Sequence, residues 1–258
     1  MNEDLLSTAR LALASLDLTS LNDTDDAADV EALCARAITP HGDVAAVCVW
    51  PRFVAQARKA LPASVAVAAV ANFPAGALDV DLALTDSAAI ARAGGNEIDL
   101  VLPWRAWAAG QVLQCAALVR AVRRAHADLR LKLILETGEL EDELLTAGAA
   151  RMALSEGVDF LKTSTGKTRV SATPSAAGTL IAVIAAHPRR AEAGFKASGG
   201  IRTVAEAGVY IDLVRQALGS VGPRNFRLGA SSLLADILVT LDGRTPGDGG
   251  AAAAAGSY

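Results

Sequence analysis

Val158-Asp159-Phe160-Leu161-Lys162-Thr163 and, farther along the chain, Gly194-Phe195-Lys196-Ala197 are short apolar runs with a lysine set inside each. Both are too short for a helix and read as buried strands. Working outward, runs of the same kind recur at Leu13–Leu18, Val44–Val49, Val65–Val70, Glu97–Leu102, Leu131–Glu136 and Phe226–Gly229. The first and seventh runs carry the weakest pattern. Longer stretches with helical periodicity separate them. In one, Leu113, Ala117, Leu118, Ala121 and Val122 form an apolar stripe, with Arg120, Arg123 and Arg124 elsewhere around the helix. Asp79 marks a helix start, and Thr203 followed by Glu206 is a capping-box pattern.

Eight strand runs alternating with helices, in a chain of 258 residues, predict an α/β fold: a single (β/α)8 TIM barrel. A doubly wound open sheet is the competing architecture. It would normally carry a glycine-rich dinucleotide loop after its first strand, and here Leu16-Asp17-Leu18-Thr19-Ser20 has no glycine. Residues 1–241 are expected to form the barrel. Residues 242–258, rich in glycine and alanine, read as a flexible C-terminal tail.

Hydrophobic residues make up 52% of the chain, enough for a large core, and the net charge is −4. A weakly acidic surface argues against bulk nucleic-acid or anionic-membrane binding, yet leaves room for a local basic pocket. Cys34, Cys48 and Cys115 fit neither a disulfide framework nor a zinc site, and the opening MNEDLLSTAR is no signal peptide. A reducing, cytoplasmic setting follows. The uncharged runs Ala60–Leu78 and Val170–Pro188 are broken by proline and read as buried barrel elements rather than membrane spans.

In a barrel, chemistry sits at the C-terminal ends of the strands. There the chain offers Asp17 and Thr19, Cys48, Asn72, Asp99, Glu136, Lys162, Lys196 and three glycine-bearing loops. Two lysines at adjacent strand ends are the unusual feature, because lysine is rarely buried without a reason. An ordinary lysine has a pKa near 10.4, so only about one in 2,500 is neutral at pH 7. A nucleophilic lysine needs a dry pocket and a neighbouring cation, which this pair could supply for each other. A single such lysine would more simply cap a strand end in solvent. Asp99, among apolar neighbours, is the acid–base candidate, its plainer role being a salt bridge to Lys162 or Lys196; Asp17 stands similarly. Cys48 reads as core, and Trp50, Trp104 and Trp107 as packing or interface residues. Gly166-Lys167, Gly199-Gly200 with Arg202, and Gly229-Ala230-Ser231-Ser232 read as a phosphate cradle. Gly166-Lys167-Thr168 is no P-loop, since Leu161 stands where that motif needs glycine. His41, His126 and His187 are isolated helix-end or surface residues, and no cluster has metal-ligand spacing. Glu139, Glu141, Asp142 and Glu143 read as a solvated first helical turn.

With these residues assembled, the chain resembles the deoxyribose-phosphate aldolases over nearly its whole length. The sharpest matches are Glu97-Ile98-Asp99, Glu136-Thr137-Gly138-Glu139-Leu140, Phe160 to Lys167, Gly194-Phe195-Lys196 with Ser198-Gly199-Gly200, and Phe226 to Ser232. The resemblance implies reversible cleavage of 2-deoxy-D-ribose 5-phosphate to acetaldehyde and D-glyceraldehyde 3-phosphate, with no metal and no cofactor. It implies that Lys162 forms a Schiff base, that Lys196 favours its neutral amine, and that Asp99 moves protons with Asp17 in support. Gly166, Lys167, Gly199, Gly200, Arg202, Gly229, Ser231 and Ser232 would hold the phosphate, with Thr19, Cys48 and Thr165 lining the substrate. The terminal Tyr258 would reach the pocket as a proton donor. Ala197-Ser198 departs from members that carry proline and alanine there. The alternatives are another Schiff-base barrel, such as a transaldolase or sugar-phosphate aldolase, and a phosphosugar-binding barrel without chemistry. A homodimer is the expected assembly.

Overall fold

The computed structural model describes residues 3–140 and 142–243. Glu141, most of the expected tail and Tyr258 lie outside the described residues. Eight parallel strands close into a barrel: β1 (Leu16–Thr19), β2 (Ala46–Val49), β3 (Ala66–Ala71), β4 (Glu97–Val101), β5 (Arg130–Ile134), β6 (Phe160–Lys162), β7 (Gly194–Ser198) and β8 (Phe226–Ala230), with β1 hydrogen-bonded to both β2 and β8. Every predicted strand is present, displaced by up to three residues at its ends.

Helices α1 (Glu3–Ala14), α2 (Ala27–Arg36), α3 (Val54–Ala60), α4 (Val80–Arg92), α5 (Trp104–Ala108), α6 (Val112–Ala125), α7 (Thr137–Leu140), α8 (Glu143–Ser155), α9 (Pro174–Ala186), α10 (Val204–Leu218) and α11 (Leu233–Leu241) surround the sheet. Their starts follow local chemistry. The side chain of Asp79 accepts from Leu82 N at α4, and Thr203 and Glu206 close a reciprocal capping box at α10. Gly219, at φ 76°, ends α10 in a left-handed turn that only glycine adopts without strain.

Three expectations need correction. Leu13 and Ala14 end α1 rather than open β1, since α1 turns its Ala9, Ala12 and Leu13 into the core. The buried stripe of α6 is Cys115, Leu118, Val119 and Val122, whereas Leu113 is 82% exposed. Both sets have helical spacing, and only the direction of the barrel decides between them. Glu139 belongs to α7, while Asp142 caps α8 by accepting from Leu144 N and Leu145 N. A small hairpin, Ile38–Thr39 with Gly42–Asp43, was not anticipated. The two long uncharged runs supply β3 and α9, and no described helix is long and apolar enough to cross a membrane.

Candidate active site

Parallel pairing places inward-facing side chains side by side. Lys162 on β6 is in register with Lys196 on β7, which in turn is in register with Arg227 on β8. Asp99 on β4 is in register with Lys132 on β5. The barrel interior is therefore divided. On the β2–β3 side Cys48, Ala68 and Val70 pack with Leu21, flanked by Trp50 and Phe73. The remaining strands fill it with charge.

Asp99 is the hub. Its Oδ2 accepts from Lys162 Nζ at 2.9 Å and Lys196 Nζ at 2.8 Å, and its Oδ1 accepts from Lys132 Nζ at 2.7 Å. Asp17 Oδ2 accepts from Lys196 Nζ at 2.6 Å and lies 3.2 Å from Lys132 Nζ. Beneath them Arg227 donates to Asp17 Oδ1 at 2.6 Å and to both oxygens of Glu97, and Lys132 Nζ sits 2.6 Å from Glu97 Oε2. Lys162 is 1% exposed, and Lys132, Lys196, Asp17 and Asp99 are fully buried. Burial alone would raise the carboxyls of Asp17 and Asp99, but the surrounding cations overcome it and hold both well below the usual carboxylate range. Burial likewise opposes the ammonium of Lys132, yet Asp17, Asp99 and Glu97 hold it charged above the usual lysine range. A buried ionic cluster of this size costs desolvation that an apolar core would avoid, so it argues for function rather than stability.

The structure thus brings together Lys162, Lys196, Asp99 and Asp17, and Asp99 makes both salt bridges open to it. Cys48 joins them, its Sγ 3.9 Å from Asp99 Oδ2. Its thiol is pushed up to about 11 by burial and then by Asp99, which keeps it protonated and unreactive at neutral pH. Thr19 is buried at the end of β1, where its hydroxyl donates to the Asp17 carbonyl at 2.9 Å. Thr165 is engaged within the protein: its N–H and hydroxyl donate to Glu136, and its Oγ1 accepts from Lys167 N.

The glycine loops lie at the mouths of β6 and β7. Gly166, Gly199 and Gly200 all have φ near +80°, and a Cβ on Gly199 would stand 2.6 Å from Ser171 Oγ. Gly200, Lys167 and Arg202 face solvent. Gly229 lies inside β8, and a Cβ there would come within 2.9 Å of Lys196 Cε. Its place in the site is to give the Lys196 stem room to cross the barrel. Ser231 and Ser232 lead into α11, whose N-cap Ser232 makes no side-chain capping bond. Trp104 and Trp107 are buried packing residues, and Trp50 stacks edge-on against Phe73.

Three further residues, Lys132, Glu97 and Arg227, escaped the sequence reading as site members. Lys132, between Leu131 and Leu133, sets a lysine inside an apolar run as Lys162 and Lys196 do, and that signal was available. Glu97 and Arg227 fall within the Glu97–Leu102 and Phe226–Gly229 runs and carried no functional assignment. Glu136 takes a left-handed φ of 54° and receives Thr165 N, Thr165 Oγ1 and Thr168 Oγ1, pinning the loop after β6. Burial raises its carboxyl. The buried hydroxyls of Ser164 and Ser198, at the mouths of β6 and β7, have no hydrogen-bond partner among the described residues.

The DeoC/LacD family aldolase profile matches residues 11–238 of this chain. A curated deoxyribose-phosphate aldolase of Agrobacterium fabrum is 43% identical over 243 residues, covering 92% of this chain and 93% of its own length. A crystal structure attributed to a deoxyribose-phosphate aldolase of Coccidioides immitis superposes with a TM-score of 0.81 at 27% identity, covering 90% of this chain and 86% of that one. An apo-form structure with the same attribution, from Toxoplasma gondii ME49, reaches a TM-score of 0.85 at 25% identity, over 95% of this chain and 99% of that one.

Proposed function

The chain belongs to the DeoC/LacD family of aldolases, and from that membership we propose that it reversibly cleaves 2-deoxy-D-ribose 5-phosphate to acetaldehyde and D-glyceraldehyde 3-phosphate. The observation that carries this reading is a lysine amine, Lys162 Nζ, held at a strand end beside Lys196 on a shared carboxylate oxygen. The neutral amine adds to the substrate aldehyde, and loss of water leaves an iminium. That iminium is an electron sink. When the C2–C3 bond breaks, its electron pair is stored as an enamine, and the C3 hydroxyl gives up its proton to become the second aldehyde. Protonation of the enamine carbon and hydrolysis then release acetaldehyde. Asp99 and Asp17 are the proton-handling groups, with Lys196 as the neighbouring cation. The phosphate is taken by the loops after β6, β7 and β8, with Gly166, Lys167, Gly199, Gly200, Arg202, Ser231 and Ser232. In this reading the enzyme works in the cytoplasm as a homodimer.

Borohydride trapping with acetaldehyde tests the reading, since only a reactive lysine becomes covalently labelled. A binding protein without chemistry would give no adduct. The phosphate assignment makes a separate prediction. Ser231→Glu places a carboxylate at the start of α11, against an incoming dianion. KM for the phosphorylated substrate is expected to rise at least about tenfold, while acetaldehyde trapping at Lys162 persists. Equal losses for phosphorylated and unphosphorylated substrates would move the phosphate elsewhere.

Tyr258, beyond the described residues, is proposed as the acid that protonates the enamine carbon. Tyr258→Phe is expected to slow deuterium exchange into bound acetaldehyde by about 10–100-fold, with Schiff-base trapping and thermal stability retained. Unchanged exchange in the Phe variant would remove Tyr258 from the mechanism.

A further inference from the structure

The interior ion cluster can be counted. Three carboxylates, Asp17, Glu97 and Asp99, contact four buried cationic groups, Lys132, Lys162, Lys196 and Arg227. Arg227 stays charged at any working pH, and Lys132 touches all three carboxylates. One negative charge is then left for two lysines. Among the described residues, Lys196 reaches two carboxylates, Asp17 and Asp99, whereas Lys162 reaches only Asp99, through the oxygen it shares with Lys196. Loss of one proton, from Lys162, brings the cluster to neutrality.

We infer that Glu97 and Arg227, one layer beneath the reacting amine, are positioning residues that set the pH at which Lys162 reacts by fixing the charge count of the closed interior. This rests on Lys162 being the Schiff-base residue. Neither residue acts on substrate; both act through Lys132, Asp17 and Asp99. The charged and titratable groups packed around Lys162 can be named strand by strand. These are Asp17 from β1, Cys48 from β2, Glu97 and Asp99 from β4, Lys132 from β5, Lys196 from β7 and Arg227 from β8. Glu136 follows β5 with its carboxylate taken up by Thr165 and Thr168, and Arg130 pairs with Glu97 at 2.7 Å from the rim. β3 contributes only Ala68 and Val70 to this interior. Glu136 and Cys48 are untouched by the changes below, so they offset every variant alike.

The count predicts shifts of opposite sign. Glu97→Gln removes a negative charge and leaves two surplus cations, so the neutral amine forms at lower pH. Arg227→Met removes the surplus, so all three lysines can stay charged and the reactive form appears at higher pH. The double variant restores the count. Each single shift is about one pH unit, the size of one charge acting across the barrel at an effective dielectric constant near 20.

The measurement is the rate of acetaldehyde trapping at Lys162 by cyanoborohydride against pH, with the adduct mapped by mass spectrometry. The acidic limb should fall by about one unit in Glu97→Gln, rise by about one in Arg227→Met, and return in the double variant. Arg130→Gln changes only the rim, where the side chain is 36% exposed, and keeps the test alive should the interior variants not fold; its limb should rise by a few tenths of a unit. A limb that stays put in Glu97→Gln, or in Arg130→Gln if the others do not fold, overturns the inference. So do shifts of one sign in both single variants, which would indicate general disruption. An adduct absent from Lys162 in the unaltered protein overturns the Schiff-base reading itself, a distinguishable result.

Discussion

Lys162→Ala is expected to abolish labelling by acetaldehyde and borohydride, and to lower the cleavage rate by about 10⁴-fold or more. Removal of a covalent nucleophile costs that much because the remaining groups, however well placed, have no electron sink to serve. The charge count adds a second expectation. Without Lys162, three carboxylates still face Lys132, Lys196 and Arg227, so the interior stays balanced and the variant folds. Its loss is therefore one of chemistry, visible as a soluble, cooperatively melting protein with no adduct. An adduct mapped to Lys132, Lys167 or Lys196 would reassign the nucleophile.

Asp99→Asn should behave in the opposite way and lose the fold's stability along with its activity. Asp99 accepts from three ammonium groups, and the amide cannot neutralise any of them. Breaking a buried ionic cluster from one side costs about 3–5 kcal/mol, equivalent to a drop of roughly 10 °C in Tm for a chain of this size. The exposed pair Asp212–Arg215 provides the control, since Asp212→Asn there should stay within about 0.5 kcal/mol. The pH dependence has a definite sign. Asp17 and Asp99 have lower carboxyl values folded than unfolded, so their contribution is complete above the unfolded value near pH 4 and is lost as pH falls below it. Lys132 is raised, so its contribution is complete below about pH 10.4 and is lost as pH climbs beyond that. Urea titrations of the parent and Asp99→Asn should therefore converge on the acid side. Parallel curves down to pH 2, or a loss below about 1 kcal/mol at pH 7, would show that Asp99 does not anchor the cluster.

By itself, the amino-acid order determined the architecture and the identity of the principal groups. Eight runs of strand length separated by capped helices leave few topologies open, and a lysine set in an apolar run is legible wherever it occurs, at Lys162, Lys196 and Lys132 alike. The glycines of the loops after β6 and β7 stood out in the sequence, and Gly166, Gly199 and Gly200 adopt left-handed φ values there. What only the tertiary structure decided is which charges meet. Glu97 and Arg227 lie 130 positions apart in the chain and make contact because β4 and β8 face each other across the barrel. The direction α6 presents to the sheet, the clasp of Glu136 on Thr165, and the place of Gly229 beside the Lys196 stem depend on the same closure. Sequence periodicity specifies that a face exists but not what it faces. Pairing across the barrel follows from strand register and closure, which are properties of the assembled sheet and of no single segment.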